Sequence, residues 1–147
     1  MKRKVLLVED DAALRKALSV VLVNNGHEVM EADTVKQGLE KAPGADIVLL
    51  DLKLGNENGE VFLDQFRRGG HYAPVIVLSG AYPKAETFES LRKYKIVDFV
   101  EKPFKTADLL GKVGLAGKVA EDIKVVSEAP SRFKAAAESI KEFIKLA

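Results

Sequence analysis

Cysteine is missing altogether from these 147 residues, which excludes disulfides, thiolate zinc sites and cysteine nucleophiles. Histidine is scarce. His27 and His71 are too few and too far apart for an imidazole metal cluster, and read as loop or strand-edge residues. Charge of one sign is lacking too. The 23 basic and 22 acidic residues leave a net charge of +1, with no global attraction to nucleic acid or to a membrane. Long apolar runs are also missing. Residues 5–8, 47–50 and 75–78 are the strongest, all far short of the roughly 20 residues a bilayer span needs. The N-terminus, Met1-Lys2-Arg3-Lys4, is basic, but Glu9 arrives after four apolar residues, whereas a secretory signal carries about 7–15. A cytoplasmic protein without direct nucleic-acid or membrane binding is the expectation.

What is present is ordinary globular composition, 47% hydrophobic and 31% charged, in a length that suits one core. Short apolar runs alternate with segments of helical period. Residues 4–8 form a continuous Val/Leu run, as in a parallel strand covered on both faces. Leu14, Leu18, Val21 and Leu22 then recur at helical spacing until Asn24-Asn25-Gly26 supplies a C-terminal stop. Residues 27–32 make a weaker strand. Asp33 or Thr34 caps a short helix over 35–42, which Pro43-Gly44 ends. Residues 45–50 are a strand, 54–59 a polar loop, and 60–68 a helix with Phe62 and Phe66 on one face. Pro74 opens a strand over 74–78. A helix over about 84–93 carries Phe88 and Leu91, and residues 96–100 form a last strand. Thr106 caps a final helix with Leu109, Leu110 and Val113 inward. Gly111, Gly114 and Gly117 weaken that helix, each by up to about 1 kcal/mol against Ala, and predict a bend or break. Five strands alternating with five helices predict a doubly wound α/β domain with a parallel sheet, helices on both faces and right-handed crossovers.

In such a sheet ligands bind beyond the carboxyl ends of the strands. The polar residues that follow each apolar run therefore belong together: Glu9, Asp10 and Asp11, then Asp51, then Ser79-Gly80, then Glu101, Lys102 and Pro103. Taken singly, each has a plainer role as a turn, cap or solvated charge. Jointly they place carboxylates, a hydroxyl and an ammonium on one edge. Clustered carboxylates need a compensating cation, and oxygen-only ligands suit Mg²⁺. Lysine and hydroxyl suit phosphate oxygens. The set reads as a phosphoryl-handling site with a carboxylate nucleophile.

These residues resemble the receiver domain of two-component response regulators. Lys4-Val-Leu-Leu-Val-Glu-Asp-Asp11 is similar to the family's first strand and acidic pair. Asp46-Ile-Val-Leu-Leu-Asp-Leu52, with Gly59 beyond it, resembles the phosphoacceptor strand and loop. Pro74-Val-Ile-Val-Leu-Ser-Gly80 resembles the strand bearing the Ser/Thr switch, and Asp98-Phe-Val-Glu-Lys-Pro-Phe104 the Lys-Pro signature. The likeness covers roughly residues 3–120, giving a receiver domain over 1–121 and a linker with a C-terminal amphipathic helix over 122–147.

The resemblance implies a flavodoxin-like strand order 2-1-3-4-5. It also implies that Asp51 takes a phosphoryl group from a histidine kinase or phosphotransfer protein in a Mg²⁺-dependent reaction, so that the chain catalyses only its own phosphorylation and dephosphorylation. Glu9, Asp10, Asp51 and the Lys53 carbonyl would hold the metal. Lys102 would contact a phosphoryl oxygen and precede a cis Pro103. Ser79 and Phe99 would act as the switch, and an unknown downstream protein would read it.

Several positions depart from the family pattern. Gly55 replaces the usual proline, which predicts a more mobile loop. Phe99 stands for the commoner tyrosine, Lys95-Ile96 for Gly-Ala, and Lys53 lies where its side chain could reach the site. In the tail, Phe133, Ala137, Ile140 and Ile144 recur at helical spacing, so this segment packs on its own domain or on a partner. A homodimer would form through it or through the face made by the fourth helix, fifth strand and fifth helix. Two other functions compete. One is a degenerate receiver serving only as an interaction module, against which the intact site residues speak. The other is a small α/β enzyme or flavin-binding domain, against which three acids after the first strand speak, because they would repel a phosphate.

Overall fold

The computed structural model describes residues 2–80 and 85–127. Five parallel strands form the main sheet: β1 (Lys4–Val8), β2 (Glu28–Ala32), β3 (Ile47–Asp51), β6 (Val75–Ser79) and β7 (Asp98–Glu101). Their order is β2-β1-β3-β6-β7, the doubly wound order expected. Side chains alternate across the sheet, so each apolar run feeds two cores. Leu6, Val8, Val48, Leu50, Val75 and Val77 meet Phe62, Leu63, Phe66 and Leu91 on one face. Val5, Leu7, Ile47, Leu49, Ile76 and Leu78 meet Leu18, Leu22, Leu109, Val113 and Ala116 on the other. These strand residues are fully buried. Each such side chain stabilises the fold by roughly 1.5–3 kcal/mol, which is why unbroken apolar runs were legible as central strands.

The helices follow from their caps. In α1 (Ala12–Asn24) the Asp11 carboxylate accepts from Leu14 N–H at 3.1 Å. For α2 (Val35–Lys41) the cap is Thr34, not Asp33: its hydroxyl accepts from Gln37 N–H at 3.1 Å. A 3₁₀ turn over Ala42–Gly44 follows, opened by Pro43. Asn58 caps α3 (Gly59–Arg68), where Phe62 and Phe66 stack at 5.2 Å. The fourth helix, α4, spans Ala85–Arg92.

Four expectations need correction. Residues 54–59 are not a plain loop: β4 (Lys53–Leu54) pairs with β5 (Glu57–Asn58) as a tight antiparallel hairpin. Gly55, at φ +61°, takes the first position of its two-residue turn, where a left-handed backbone favours glycine. The last strand starts at Asp98, not at residue 96. Thr106 is the first residue of α5 rather than its cap, and the Lys105 carbonyl accepts the first helical bond, from Leu109 N–H. Finally, α5 runs unbroken from Thr106 to Ser127, through three glycines and past residue 121. Packing of Leu109, Val113 and Ala116 on the sheet outweighs their poor propensity. Beyond that core the Arg3 side chain lies against Gly117 and its guanidinium pairs with Glu121 at 2.6 Å. The tail segment 128–147, with its expected amphipathic helix, lies outside the described residues, as do Lys84 and the Phe88 side chain.

At the edge opposite the polar strand ends, Arg67 is buried at the end of α3. Its guanidinium donates to the carbonyls of Tyr94 (3.0 Å), His71 (3.1 Å) and Ala73 (2.9 Å), tying α3 to the entries of β6 and β7. Burial lowers its pKa to about 10. Among the described residues no helix is long and apolar enough to cross a membrane.

Candidate functional site

Parallel pairing sets the strand ends level. Asp51 is paired with Leu78, and Ser79 with Glu101, so Asp51, Ser79 and Lys102 emerge at the same edge as Glu9 and Asp10. Carboxylate oxygens of Glu9, Asp10 and Asp51 all lie within 4.8 Å of one another. Glu9 and Asp51 are buried and Asp10 is exposed.

Each member is held from several sides. The Glu9 N–H donates to the Ala32 carbonyl at 3.0 Å, and its own carbonyl accepts from the Arg15 guanidinium at 2.8 Å. Asp10 accepts from Gly55 N–H at 2.8 Å, which links the acidic pair to the hairpin turn. Asp51 accepts from Lys53 N–H at 3.0 Å and from the Lys102 ammonium at 3.1 Å. That ammonium also donates to Glu9 Oε1 at 2.6 Å. The Lys102–Pro103 bond is cis, as the resemblance implies. The Lys102 N–H donates to the Ser79 carbonyl at 2.6 Å, tying the ends of β6 and β7 together. Phe99 is half-buried and packs against the core shared by α2, α3 and α4, while its carbonyl accepts from Lys112 at 2.9 Å.

Electrostatics make the site uneven. Burial, followed by the adjacent Asp51 carboxylate, pushes the Glu9 carboxyl up from 4.5 to about 7, against the lowering effect of Lys102. Burial by itself would depress the Lys102 ammonium, but its bonds to Glu9 and Asp51 outweigh that and the net shift is upward. Glu9 Oε2 is buried with no hydrogen-bond partner among the described residues. An orphaned acceptor beside two other carboxylates, with oxygen-only donors, fits a hard divalent cation and Mg²⁺ in particular. Beside Lys102 a hollow of about 400 Å³ is lined by Asp11, Leu14, Pro103 and Phe104.

The structure thus gathers Glu9, Asp10, Asp51 and Lys102 into one cluster and brings Ser79 to the same edge. Lys53 enters through its N–H; its side chain is exposed. Three contributors were not singled out from the sequence. Arg15 reads as an ordinary helix charge, yet it clamps the Glu9 carbonyl and pairs with Glu31 at 3.1 Å. The N–H of Gly55 is a backbone group with no side-chain signature. Glu57 accepts from Val35 N–H at 3.1 Å and fastens the hairpin to α2. Gly59 is where backbone approach demands glycine: a Cβ there would lie 2.6 Å from the Asp51 carbonyl oxygen.

Comparison with known proteins agrees with this geometry. The response regulator receiver domain family matches residues 5–114. The KDP operon transcriptional regulatory protein KdpE of Escherichia coli is 33% identical over 114 residues, covering 76% of this chain and 50% of that protein. The chain therefore spans about half the length of that curated relative. A CheY-like receiver domain from Methanospirillum hungatei JF-1 superposes with a TM-score of 0.73 at 26% identity, over 83% of this chain and 98% of the other. The receiver domain of a Luxo repressor protein from Vibrio parahaemolyticus, 24% identical, shares the fold with a TM-score of 0.78, over 88% of this chain and all of the other. With the five-stranded order, the acidic cluster and the lysine in place, this chain belongs to the response regulator receiver domain family.

Proposed function

We propose that Asp51 accepts a phosphoryl group from the phosphohistidine of a histidine kinase or phosphotransfer protein, and that the chain passes the signal on through protein contacts. The observation that carries this reading is the Asp51 carboxylate, held 3.1 Å from the Lys102 ammonium within one cluster with Glu9 and Asp10.

In this reading a carboxylate oxygen of Asp51 forms the new O–P bond while the P–N bond to the donor imidazole breaks, and the electron pair leaves with that nitrogen. The result is an acyl phosphate. Positioning and charge compensation do most of the work in such transfers. Lys102 shifts from pairing with carboxylates to pairing with a phosphoryl oxygen, and Lys53 N–H fixes one Asp51 oxygen. Glu9, Asp10, Asp51 and the Lys53 carbonyl would hold Mg²⁺, which when bound offsets the charge gathered on the phosphoryl oxygens. Ser79 would donate its hydroxyl to the same group, and Phe99, which pairs with Val77 two residues before Ser79, would repack to report it. The chain would act on no other substrate, and its place would be the cytoplasm.

The test is incubation of the full chain with Mg²⁺ and a small phosphodonor such as acetyl phosphate, followed by intact-mass measurement. One phosphoryl adduct, missing from Asp51→Asn and from samples in EDTA, is the expected result. No adduct with any donor or divalent metal would overturn the reading in favour of a module that only binds partners.

A further inference from the structure

The last ladder position of β1 is Val8, level with Ala32 on β2 and Leu50 on β3. Glu9 and Asp10 follow directly, so the peptide between them is no longer oriented by strands on both sides. That peptide matters because both residues flanking it carry carboxylates of the acidic cluster. Its plane turns about two soft angles, ψ of Glu9 and φ of Asp10, and turning it re-aims one carboxylate against the other. The Glu9 N–H is tied to the Ala32 carbonyl at 3.0 Å. The Glu9 carbonyl, which belongs to the peptide in question, accepts from Arg15 Nη1 at 2.8 Å.

Arg15 is itself held. Its Nε donates to Glu31 Oε1 at 3.1 Å, and the other oxygen of that carboxylate accepts from the buried Ser19 hydroxyl at 3.2 Å. The guanidinium is rigid and planar, so fixing Nε against β2 also fixes where Nη1 points. Glu31 compensates its charge, and what reaches the site is a directed hydrogen bond with little net field. The other anchors of the acidic pair are of a different kind. Lys102 holds Glu9 Oε1 and the Gly55 N–H holds Asp10 Oδ2, both at carboxylate oxygens that a cation would also use. The bond from Arg15 is made to the backbone and occupies no such oxygen.

We propose that Arg15 is a positioning residue for the divalent-cation site. Supported by Glu31 and Ser19, it clamps the Glu9 carbonyl and holds the Glu9–Asp10 peptide in the orientation that lets both carboxylates converge on one ion. The inference rests on the reading of the cluster as a Mg²⁺ site. It deepens that reading by making the affinity depend on a side chain that touches neither the ion nor the phosphoryl group. Charge and positioning predict opposite signs. A guanidinium near a cation site repels the incoming ion, so by charge alone loss of Arg15 tightens Mg²⁺ binding. Loss of the clamp loosens the carboxylate pair and weakens binding, and outer partners of this kind are worth about 10–100-fold in metal affinity.

The experiment is thermal unfolding of the full chain, followed by far-UV circular dichroism, in EDTA and then with Mg²⁺ titrated at constant ionic strength. Stability in EDTA reports the fold, and the increment with Mg²⁺ gives the dissociation constant separately. Arg15→Met should raise that constant by about 10–100-fold. Arg15→Lys keeps the charge but not the two fixed donors, and should also bind more weakly than the wild type; it carries the test if Arg15→Met does not fold. The double variant Arg15→Met, Glu31→Gln leaves net charge unchanged and should bind as weakly as Arg15→Met. Arg68→Met removes an exposed arginine at the opposite edge and should keep the wild-type constant. Lower stability in EDTA with an unchanged constant would reduce Arg15 to a structural strut and overturn the proposal. Tighter binding in Arg15→Met, wild-type affinity in Arg15→Lys or the double variant, or equal weakening in Arg68→Met would overturn it as well. A wild type that Mg²⁺ does not stabilise overturns the metal reading and this inference together. The phosphoryl adduct at Asp51 is measured independently, by intact mass, so failure of phosphoryl transfer is told apart from both.

Discussion

Replacing Glu9 by Gln should make the metal-free protein more stable at alkaline pH, although Glu9 lies at the centre of the site. Its carboxyl is fully buried, and burial with the adjacent Asp51 carboxylate raises it from 4.5 to about 7. Between those values the folded state binds more protons than the unfolded chain, so the unfolding free energy falls as pH rises. The favourable contribution is fully present below about pH 4.5 and lost on passing about pH 7. At about 1.4 kcal/mol per tenfold change in proton affinity, the window is worth on the order of 3 kcal/mol. Glutamine has nearly the same shape and no charge, so Glu9→Gln should match the wild type near pH 5 and exceed it by about 2–3 kcal/mol near pH 8. Urea unfolding of both proteins in EDTA, followed by far-UV circular dichroism, measures this. The difference between the two curves isolates Glu9 together with its contacts to Asp51 and Lys102, because titrating groups elsewhere cancel. Mg²⁺ at a hundred times the wild type's dissociation constant should then stabilise the wild type by about 2.7 kcal/mol and the variant by less. If the gap between the proteins is the same near pH 5 and pH 8, the account of Glu9 as a buried, strained acid is wrong.

Two other substitutions probe the scaffold. Arg67→Met leaves one buried and two part-buried carbonyls without their donor and should lower stability by on the order of 3 kcal/mol in urea, since each unsatisfied buried group costs about 1–3 kcal/mol and relief of a buried charge offsets part; a variant as stable as the wild type would refute that accounting. Gly59→Ala places a methyl 2.6 Å from the Asp51 carbonyl oxygen and 2.8 Å from the Leu52 Cα, so the backbone must shift. A loss of about 1–3 kcal/mol in thermal unfolding, together with slower adduct formation at Asp51, is expected.

Much of this molecule was legible because its central strands are covered on both faces. The runs at 5–8, 47–50 and 75–78 can be apolar throughout only in such a sheet, and the polar residues that end them had to share an edge. What stayed hidden has other causes. The β4–β5 hairpin has two-residue strands of mostly polar residues, too short for any alternation to show, and Gly55 reads equally well as a flexible loop. The three glycines in α5 were weighed by local propensity, whereas burial of Leu109, Val113 and Ala116 decides the matter. Arg67 looks like any basic residue in the last turn of a helix; only the tertiary fold brings three carbonyls to it. Asp33 and Thr34 are both good caps, and the geometry of the turn chose the hydroxyl.

The double contact of Lys102 with Glu9 and Asp51 has one further consequence. A tethered ammonium is already an occupant of the acidic pocket, present at a high effective concentration that dilution cannot lower. Any cation arriving from solution must compete with it rather than enter a bare trio of carboxylates. The apparent affinity for divalent ions is therefore an exchange constant, and it can be tuned by whatever moves one flexible side chain at the end of β7.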